Sequence, residues 1–168
     1  MTFTRNDADS TTLPASSLAV TAAPAATAPS LPAATISRHV EWIDTDAAGQ
    51  QHNSSILRWM ETCEAELFRN LGLDDYFPRA PRVQQVVNYT ARLFFGQQVT
   101  TSVSIQKLGR TSLTLGFEVI GEAFRGRERV SAANGHVVVV HMAPGAERSS
   151  PWPEAMLAAI HGLDPREP

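Results

Sequence analysis

The sequence contains a single cysteine, Cys63, among its 168 residues. One cysteine excludes an intramolecular disulfide framework and is typical of a protein in a reducing compartment. No apolar run approaches the ~20 residues that span a bilayer. The formal net charge of -3 gives no electrostatic basis for binding nucleic acid or an anionic membrane. We therefore expect a cytoplasmic protein that binds neither nucleic acid nor membrane.

Several motifs that carry familiar chemistry are also missing. The sequence has no metal-ligand spacing, no phosphate-binding loop, no dinucleotide-binding glycine pattern and no G-x-S-x-G nucleophile motif. The stretch "GRTSLTLG" contains a serine near glycines, but it lacks the spacing of a nucleophile elbow. The sequence therefore predicts neither a metal ion nor a cofactor.

The first 35 residues lack a hydrophobic period and have no aromatic side chain after Phe3. The stretch "SSLAVTAAPAATAPSLPAAT" consists mainly of Ala, Pro, Ser and Thr, which cannot offset the entropy of ordering such a segment. An export signal is disfavoured because Asp7 and Asp9 follow Arg5 and prolines interrupt the apolar part. We predict a disordered tail over residues 1–35 and a single domain over residues 36–168, which is long enough to bury a core.

The domain begins with a predicted strand, helix and turn. Residues 36–43 alternate as a strand does, and "DTDAAGQQHNSS" follows as turn material. A helix is predicted from Ser54 to Leu71, ending at Gly72, with a cap from one of the residues 53–55. Its apolar face repeats at helical spacing and includes Ile56, Met60, Cys63, Leu67 and Leu71. Cys63 is accordingly interpreted as a buried structural thiol.

Four long strand-like runs follow the helix: "RVQQVVNYTARLFFG", "QVTTSVSIQKL", "TSLTLGFEVIGEAF" and "ERVSAANGHVVVVHM". Turns are predicted at Gly109-Arg110 and around Gly126, whereas Gly135 is assigned to one long strand with a bulge or a closely approaching helix. A short helix over residues 153–161 ends the domain. The prediction is an α+β fold, in which about five antiparallel strands form a curled sheet around one long helix.

One segment of this sequence resembles a known family. The residues "DTDAAG" (44–49) lie between the first strand and a helix that carries "LRWMETCE" (57–64), and "LGRTSLTLGFEV" (108–119) follows. This pattern is similar to that of the hotdog-fold acyl-CoA thioesterases, in particular the 4-hydroxybenzoyl-CoA thioesterase-like group. The resemblance covers roughly residues 36–162.

The resemblance implies roles for individual residues. Asp46 would be the catalytic carboxylate, the backbone N–H near Asn53 would polarise the thioester carbonyl, and Gly49 would let the backbone turn close to the substrate. The substrate would be an acyl-CoA or an acyl carrier protein thioester. The family is at least dimeric, with each active site at the junction of two subunits, so a homodimer or homotetramer is expected.

Thioester hydrolysis needs a group that attacks the carbonyl or activates water, and a group that stabilises the developing oxyanion. Asp46 could attack directly to form a mixed anhydride, or it could act as general base on water. The sequence leaves both routes open. Short acidic turns are common, so Asp44 and Asp46 could both be turn residues that interact with the helix dipole. Asp44 is interpreted as support for the turn, and Asp46 as the catalytic group.

Three further side chains are candidates for substrate binding. His52 could bind substrate or relay a proton, or it could be a solvated loop histidine. Glu61 is a reserve base or, alternatively, a structural hydrogen-bonding acid. Basic residues at the two predicted hairpin turns could bind the phosphates of coenzyme A or could simply keep the turns soluble. Arg110 is the preferred phosphate ligand in this group: Lys107, Arg110, Arg125, Arg127 and Arg129.

Two alternatives to hydrolysis remain. Hydration or dehydration of an acyl thioester would need a histidine paired with an acid, and His52 has no clearly matched partner in the sequence. A protein of this fold that binds acyl thioesters without catalysis is also possible, because side chains and not folds make enzymes. His136 and His141 flank the Val137–Val140 run and are interpreted as strand-end or packed histidines.

Overall fold

Five antiparallel strands form one sheet in the computed structural model, which describes residues 31–162. The strands are β1 (Ala33–His39), β2 (Arg82–Tyr89), β3 (Gln98–Leu108), β4 (Ser112–Gly121) and β5 (Val130–Val140). Their order in space is β1-β3-β4-β5-β2, so β1 and β2 are the two edges. Buried and less buried residues alternate along β3, as expected for a strand that turns one face to the core.

The sheet is covered by the long helix α1 (Asn53–Asn70), and a short helix, α2 (Glu154–His161), lies near the end of the described residues. Helix α1 packs on β1, β3 and β4. The helix and the strands contribute fully buried side chains to one core, among them Ile56, Trp59, Met60, Leu67, Val99, Leu113, Leu115 and Val137. The predicted α+β architecture, with a long helix on an antiparallel sheet, is confirmed.

The single cysteine lies in this core, as predicted. The Cys63 thiol is fully buried and contacts the carbonyl oxygens of Ala34 and Thr101 at 3.4 and 3.3 Å. Burial raises the pKa of the Cys63 thiol to about 11. Cys63 therefore stays a neutral thiol and contributes packing between α1 and the sheet.

Two element boundaries differ from the prediction. Strand β1 begins at Ala33, so the predicted tail extends three residues too far; residues 1–30 and 163–168 lie outside the described residues. The predicted first strand also extended too far, because Trp42–Asp44 forms a 3₁₀ turn. The Asp44 side chain accepts a hydrogen bond from Glu41 N–H at 3.0 Å, and such a local bond competes with strand pairing.

The start of α1 lies one residue before the predicted position, and its cap is not one of the predicted residues. His52 is the N-cap, and its Nδ1 accepts a hydrogen bond from Ser54 N–H at 3.2 Å. The sequence pattern favoured Asn and Ser because their short side-chain oxygens are the usual acceptors at this position. The helix ends at Asn70 and is followed by Gly72 at φ +67°, as the predicted glycine stop requires.

The two hairpin turns are confirmed, because β3 and β4 are joined across Gly109-Arg110 and β4 and β5 across Gly126. Strand β5 is continuous through Gly135, as predicted, but among the described residues it is a strand and not a helix that approaches this glycine. A Cβ atom at Gly135 would lie 2.0 Å from the carbonyl oxygen of Val86 in β2. The glycine therefore allows the backbone of the neighbouring edge strand to come close.

Candidate functional site

The segment between the 3₁₀ turn and α1 folds back on itself as a small hairpin. Thr45 pairs with Gln51, and Asp46 N–H donates to the carbonyl oxygen of Gln50 at 2.8 Å. His52 N–H donates to the carbonyl oxygen of Asp44 at 2.7 Å. The hairpin therefore connects Asp46 to the start of α1 through a short hydrogen-bonded ladder.

Asp46 is exposed at the base of the hairpin tip. Its Oδ1 accepts hydrogen bonds from Ala48 N–H at 2.8 Å and from Gln50 N–H at 3.3 Å. Its Oδ2 has no hydrogen-bond partner within residues 31–162. One oxygen thus holds the carboxylate in place, whereas the other is available to a substrate or a water molecule.

Gly49 forms the tip of this hairpin with φ +72°, in the left-handed region that glycine adopts without strain. Its N–H donates to the carbonyl oxygen of Asp46 at 3.0 Å. A Cβ atom there would meet nothing within 4 Å. The requirement for glycine is therefore one of backbone conformation, which agrees with the predicted turn.

The first turn of α1 lies directly after the hairpin. Asn53 is the exposed first residue of the helix, and its N–H makes no hydrogen bond to any residue in the described range 31–162. Its carbonyl oxygen accepts from the Tyr89 hydroxyl at 3.2 Å. Since the positive end of the helix dipole is also here, this amide can donate to an oxyanion.

His52 lies between the two candidate catalytic groups, but its ring has a structural role. Nδ1 accepts from Ser54 N–H and is 2.8 Å from Ser54 Oγ. An Nδ1 that accepts from an amide carries no proton, so the neutral ring has its N–H at Nε2. The predicted relay is therefore restricted to Nε2, while Nδ1 caps the helix.

Asp44, two residues before Asp46, has the opposite environment. It is buried and accepts a hydrogen bond from Arg58 Nη2 at 2.8 Å, with Arg38 Nη2 at 3.5 Å. Burial opposes ionisation of Asp44, but Glu41 N–H and the two guanidinium groups outweigh it and lower its pKa. Asp44 is thus an ionised structural carboxylate that joins the hairpin to α1, as its assignment to turn support requires.

A shallow cavity of about 420 Å³ opens beside the hairpin. Phe94 pairs with Gln50 through the backbone, and the Arg127 guanidinium lies 4.0 Å above the Phe94 ring. The cavity is lined by Ala91, Arg92, Phe94, Gln97, Arg127, Glu128 and Val130. Two cations and an aromatic ring therefore lie at the same end of the sheet as Asp46.

The structure does not bring Arg110 or Glu61 to Asp46 within one chain. Arg110 follows the far end of β3, whereas the Asp46 hairpin follows the end of β1 that pairs with the start of β3. Strand β3 has 11 residues, so these ends are separated by roughly 30 Å. Glu61, on α1, pairs with Arg82 Nη1 at 2.6 Å. This contact fits the alternative in which Glu61 is a structural hydrogen-bonding acid and not a base.

Tyr89 and Phe94 contact the candidate site, and the sequence analysis did not single them out. Both are in the run interpreted as one long strand, although β2 ends at Tyr89 and residues 90–97 form a loop. The sequence analysis missed this loop because "RLFFG" is apolar and contains no proline, as a strand would. A usable signal was Gly96, which adopts φ +82° and is a common mark of a turn.

No helix among the described residues is long and apolar enough to cross a membrane. Residues 31–162 also contain no group of three His, Cys, Asp or Glu side chains arranged to hold a metal ion.

A family model described as the thioesterase-like superfamily matches residues 40–160. No curated protein matches the chain. A predicted thioesterase from Bacillus stearothermophilus is similar in structure, with 26% identity, a TM-score of 0.66, and coverage of 77% of this chain and 95% of that one. A thioesterase from Thermus thermophilus, solved with coenzyme A and zinc, has 27% identity, a TM-score of 0.67, and coverage of 80% and 96%.

The 4-hydroxybenzoyl-CoA thioesterase from Pseudomonas sp. strain CBS-3 is also similar in fold, at 16% identity. Its TM-score is 0.68, and the match covers 76% of this chain and 99% of that one. These structures confirm the predicted hotdog fold, since the same helix and sheet arrangement extends over nearly the whole length of each.

Proposed function

The chain belongs to the thioesterase-like superfamily, and on that basis we propose that it hydrolyses an acyl-CoA or acyl carrier protein thioester at Asp46. The observation that carries this proposal is the exposed Asp46 carboxylate, which has one oxygen fixed by two amides and the other without a hydrogen-bond partner in residues 31–162. It lies in a hairpin that leads directly into the N-terminus of α1.

Asp46 Oδ2 supplies the reactive oxygen in either of two routes. In the first, Oδ2 attacks the thioester carbonyl carbon, the carbon–sulfur bond breaks, and the thiolate leaves behind a mixed anhydride that water hydrolyses. In the second, Oδ2 removes a proton from a water molecule that attacks the same carbon. The Oδ1 bonds to Ala48 and Gln50 keep the carboxylate oriented in both.

The backbone N–H of Asn53 stabilises the oxyanion that develops on the carbonyl oxygen. Preorganised donors of this kind contribute about 3–4 kcal/mol to the transition state. The Tyr89 hydroxyl donates a hydrogen bond to the carbonyl oxygen of Asn53 at 3.2 Å and so fixes the orientation of the first turn of α1. We assign Tyr89 as a positioning residue.

The phosphates of coenzyme A bind best to the cations at the Asp46 end of the sheet. Arg127 lies over Phe94, and Arg92 lines the same cavity. Guanidinium groups match phosphate geometry, and an aromatic face suits a purine ring. Within one chain, we therefore prefer Arg127 and Arg92 to Arg110 as the ligands for these phosphates.

The proposal is tested by thiol release from aliphatic and aromatic acyl-CoAs and from acyl carrier protein thioesters. Asp46→Asn removes the reactive oxygen while it keeps the side-chain size, and we expect kcat to fall by about 10² or more. Asp75→Asn, which removes an exposed aspartate at the other end of α1, is the matched control and should keep parental activity.

Full activity in Asp46→Asn would contradict the assignment of Asp46. No turnover of any of these thioesters by the parent protein, with binding retained, would favour a thioester-binding protein instead. After a single turnover in ¹⁸O-labelled water, label in the Asp46 carboxylate would establish the anhydride route, because water that attacks the Asp46 carbonyl carbon of the anhydride leaves its oxygen there. The general-base route places the label in the product acid alone.

A further inference from the structure

A second cavity, of about 480 Å³, lies at the end of the molecule opposite to Asp46. One wall is the segment after α1, from Gly72 to Arg79, and the facing wall runs from Trp152 to Met156 at the start of α2. His141, just beyond β5, lines the cavity between them. Its volume lies within the range of small-molecule sites.

Two buried polar side chains line this cavity without partners. Neither ring nitrogen of His141, nor the indole nitrogen of Trp152, makes a hydrogen bond to any residue of the described range. His141 is only 4% exposed and Trp152 is also 4% exposed. Buried polar groups are nearly always paired in folded proteins, so these nitrogens are polar groups that a ligand or a water molecule would satisfy.

The backbone around these two side chains is fixed. His141 N–H donates to Thr111 O, its carbonyl oxygen accepts from Ser150 N–H, and Trp152 N–H donates to Arg110 O. The two rings lie 5.1 Å apart between centroids, at 34°. The rings are therefore held side by side with all three nitrogens closed to solvent, so a ligand in the cavity reaches them only after the rings turn about their soft χ2 torsions.

The donors and the lining define the chemical class of the ligand. An indole N–H can only donate, and a histidine ring offers at least one N–H, so the interior favours a group that accepts two hydrogen bonds. Leu73, Pro153 and Met156 present apolar surface to the remainder of a ligand. Asp74 and Asp75 are exposed, and exposed charges act weakly on the interior.

We propose that this cavity binds a small carboxylic acid with an apolar body, whose carboxylate accepts hydrogen bonds from Trp152 Nε1–H and His141. The site is separate from the thioester site, because the 18 residues of α1 lie between them, about 27 Å along the helix. It stands whether or not the chain hydrolyses thioesters.

The test uses the full-length ¹⁵N-labelled protein titrated with hexanoate, and with hexylammonium as a probe of equal length and opposite charge. The chain has three tryptophans, so their indole N–H signals report separately on Trp42 near Asp46, on Trp59 in the core and on Trp152. Trp152→Phe identifies the Trp152 signal by its loss. We expect hexanoate, and not hexylammonium, to shift the Trp152 signal.

Two variants locate the ligand. His141→Phe removes one donor and should weaken hexanoate binding about tenfold. Because that residue is buried, a second variant, Ala155→Phe, fills the cavity from an exposed lining position and should also weaken binding without loss of the folded circular dichroism spectrum.

Each remaining outcome would overturn the proposal. No shift with hexanoate would show that solvent alone satisfies the two rings. A shift of the Trp42 signal alone would place the ligand at the Asp46 end, and a preference for hexylammonium would show that the aspartates at the mouth determine binding.

Discussion

Asp44 and Asp46 have opposite surroundings although they are two residues apart. Asp44 is buried against two arginines, whereas Asp46 is exposed and one of its oxygens has no partner in the described part of the chain. The sequence analysis assigned different roles to the two aspartates only through the family resemblance, since composition treats them alike. The contact that separates them is made by Arg58, 14 residues further along, which no local pattern indicates.

The lowered pKa of Asp44 predicts a pH-dependent contribution to stability. The folded state lowers the pKa of the Asp44 carboxyl below its ordinary value of 3.8. The stabilisation that the ionised carboxyl provides is therefore present above pH 3.8 and is lost as the pH falls through the folded-state pKa. At neutral pH, Asp44→Asn should lower the free energy of unfolding by about 2 kcal/mol, since Arg58 is half exposed.

Urea unfolding at a series of pH values measures this effect. The difference between parent and Asp44→Asn should shrink below pH ~4, whereas Asp75→Asn, at an exposed site, should follow the parent throughout. A difference that stays constant into acid would show that Asp44 acts through shape and not through charge.

His52 predicts a second effect at the residue scale, because its ring caps α1. His52→Ala should lower the free energy of unfolding by about 1 kcal/mol, the usual cost of a lost N-cap. His52→Asn supplies a short acceptor oxygen at the same position and should equal or exceed the parent. Equal stability of the Ala and Asn variants in urea unfolding would argue against the cap.

At the scale of elements, a buried charge cluster joins α1 to the edge strand β2. Glu64 is buried on α1, accepts from the Tyr76 hydroxyl at 2.9 Å and pairs with Arg82 of β2. Burial raises the pKa of Tyr76 well above its usual range, so the hydroxyl stays a donor. The helix is therefore fixed to an edge strand with which it shares little other contact.

Breaking this cluster on one side should be more costly than replacing both charges. Arg82→Met leaves Glu64 buried without its partner and should lower the free energy of unfolding by about 3 kcal/mol or more. Arg82→Met combined with Glu64→Gln removes the orphaned charge, keeps an acceptor for Tyr76, and should recover part of that loss. Additive effects in this double-mutant cycle would contradict a direct pair.

The elements themselves show where sequence reasoning succeeds. Strand β3 was predicted at its observed bounds because its alternation is strict and Gly109 ends it. The end of β2 was missed, because residues 90–97 leave the sheet through long-range bonds such as Leu93 N–H to Gln51 Oε1. Periodicity predicts elements that bury one face, but it carries no information on a bond between segments 42 residues apart.

At the scale of the whole molecule, β2 is an edge of the described sheet and the Asp46 end carries exposed apolar side chains. Trp42 and Ile43 are 78% and 75% exposed, and Phe95, in edge contact with Trp42, is 52% exposed. Neighbouring exposed apolar residues mark interaction surfaces. We propose that a second copy of the chain covers this surface.

Size-exclusion chromatography with light scattering should then give at least twice the chain mass of 18.2 kDa. Trp42→Ser combined with Ile43→Ser should shift the mass towards that of one chain, because both side chains are exposed and their loss should not disturb the core. Val83 is also exposed and apolar but lies on β2, so Val83→Ser tests whether this edge strand takes part in the contact between subunits. A monomeric parent protein would exclude this arrangement and the expected homodimer or homotetramer.

The direction of β1 has a practical consequence for handling the protein. Ala33, where β1 begins, pairs with Ser104 on the edge opposite to β2 and at the sheet end away from Asp46. A fluorophore attached at Ala33, which is exposed, therefore lies far from both the Asp46 carboxylate and strand β2. Because the Cys63 thiol is buried, Ala33→Cys should give one reactive thiol for labelling or surface attachment that leaves the Asp46 end open to substrate.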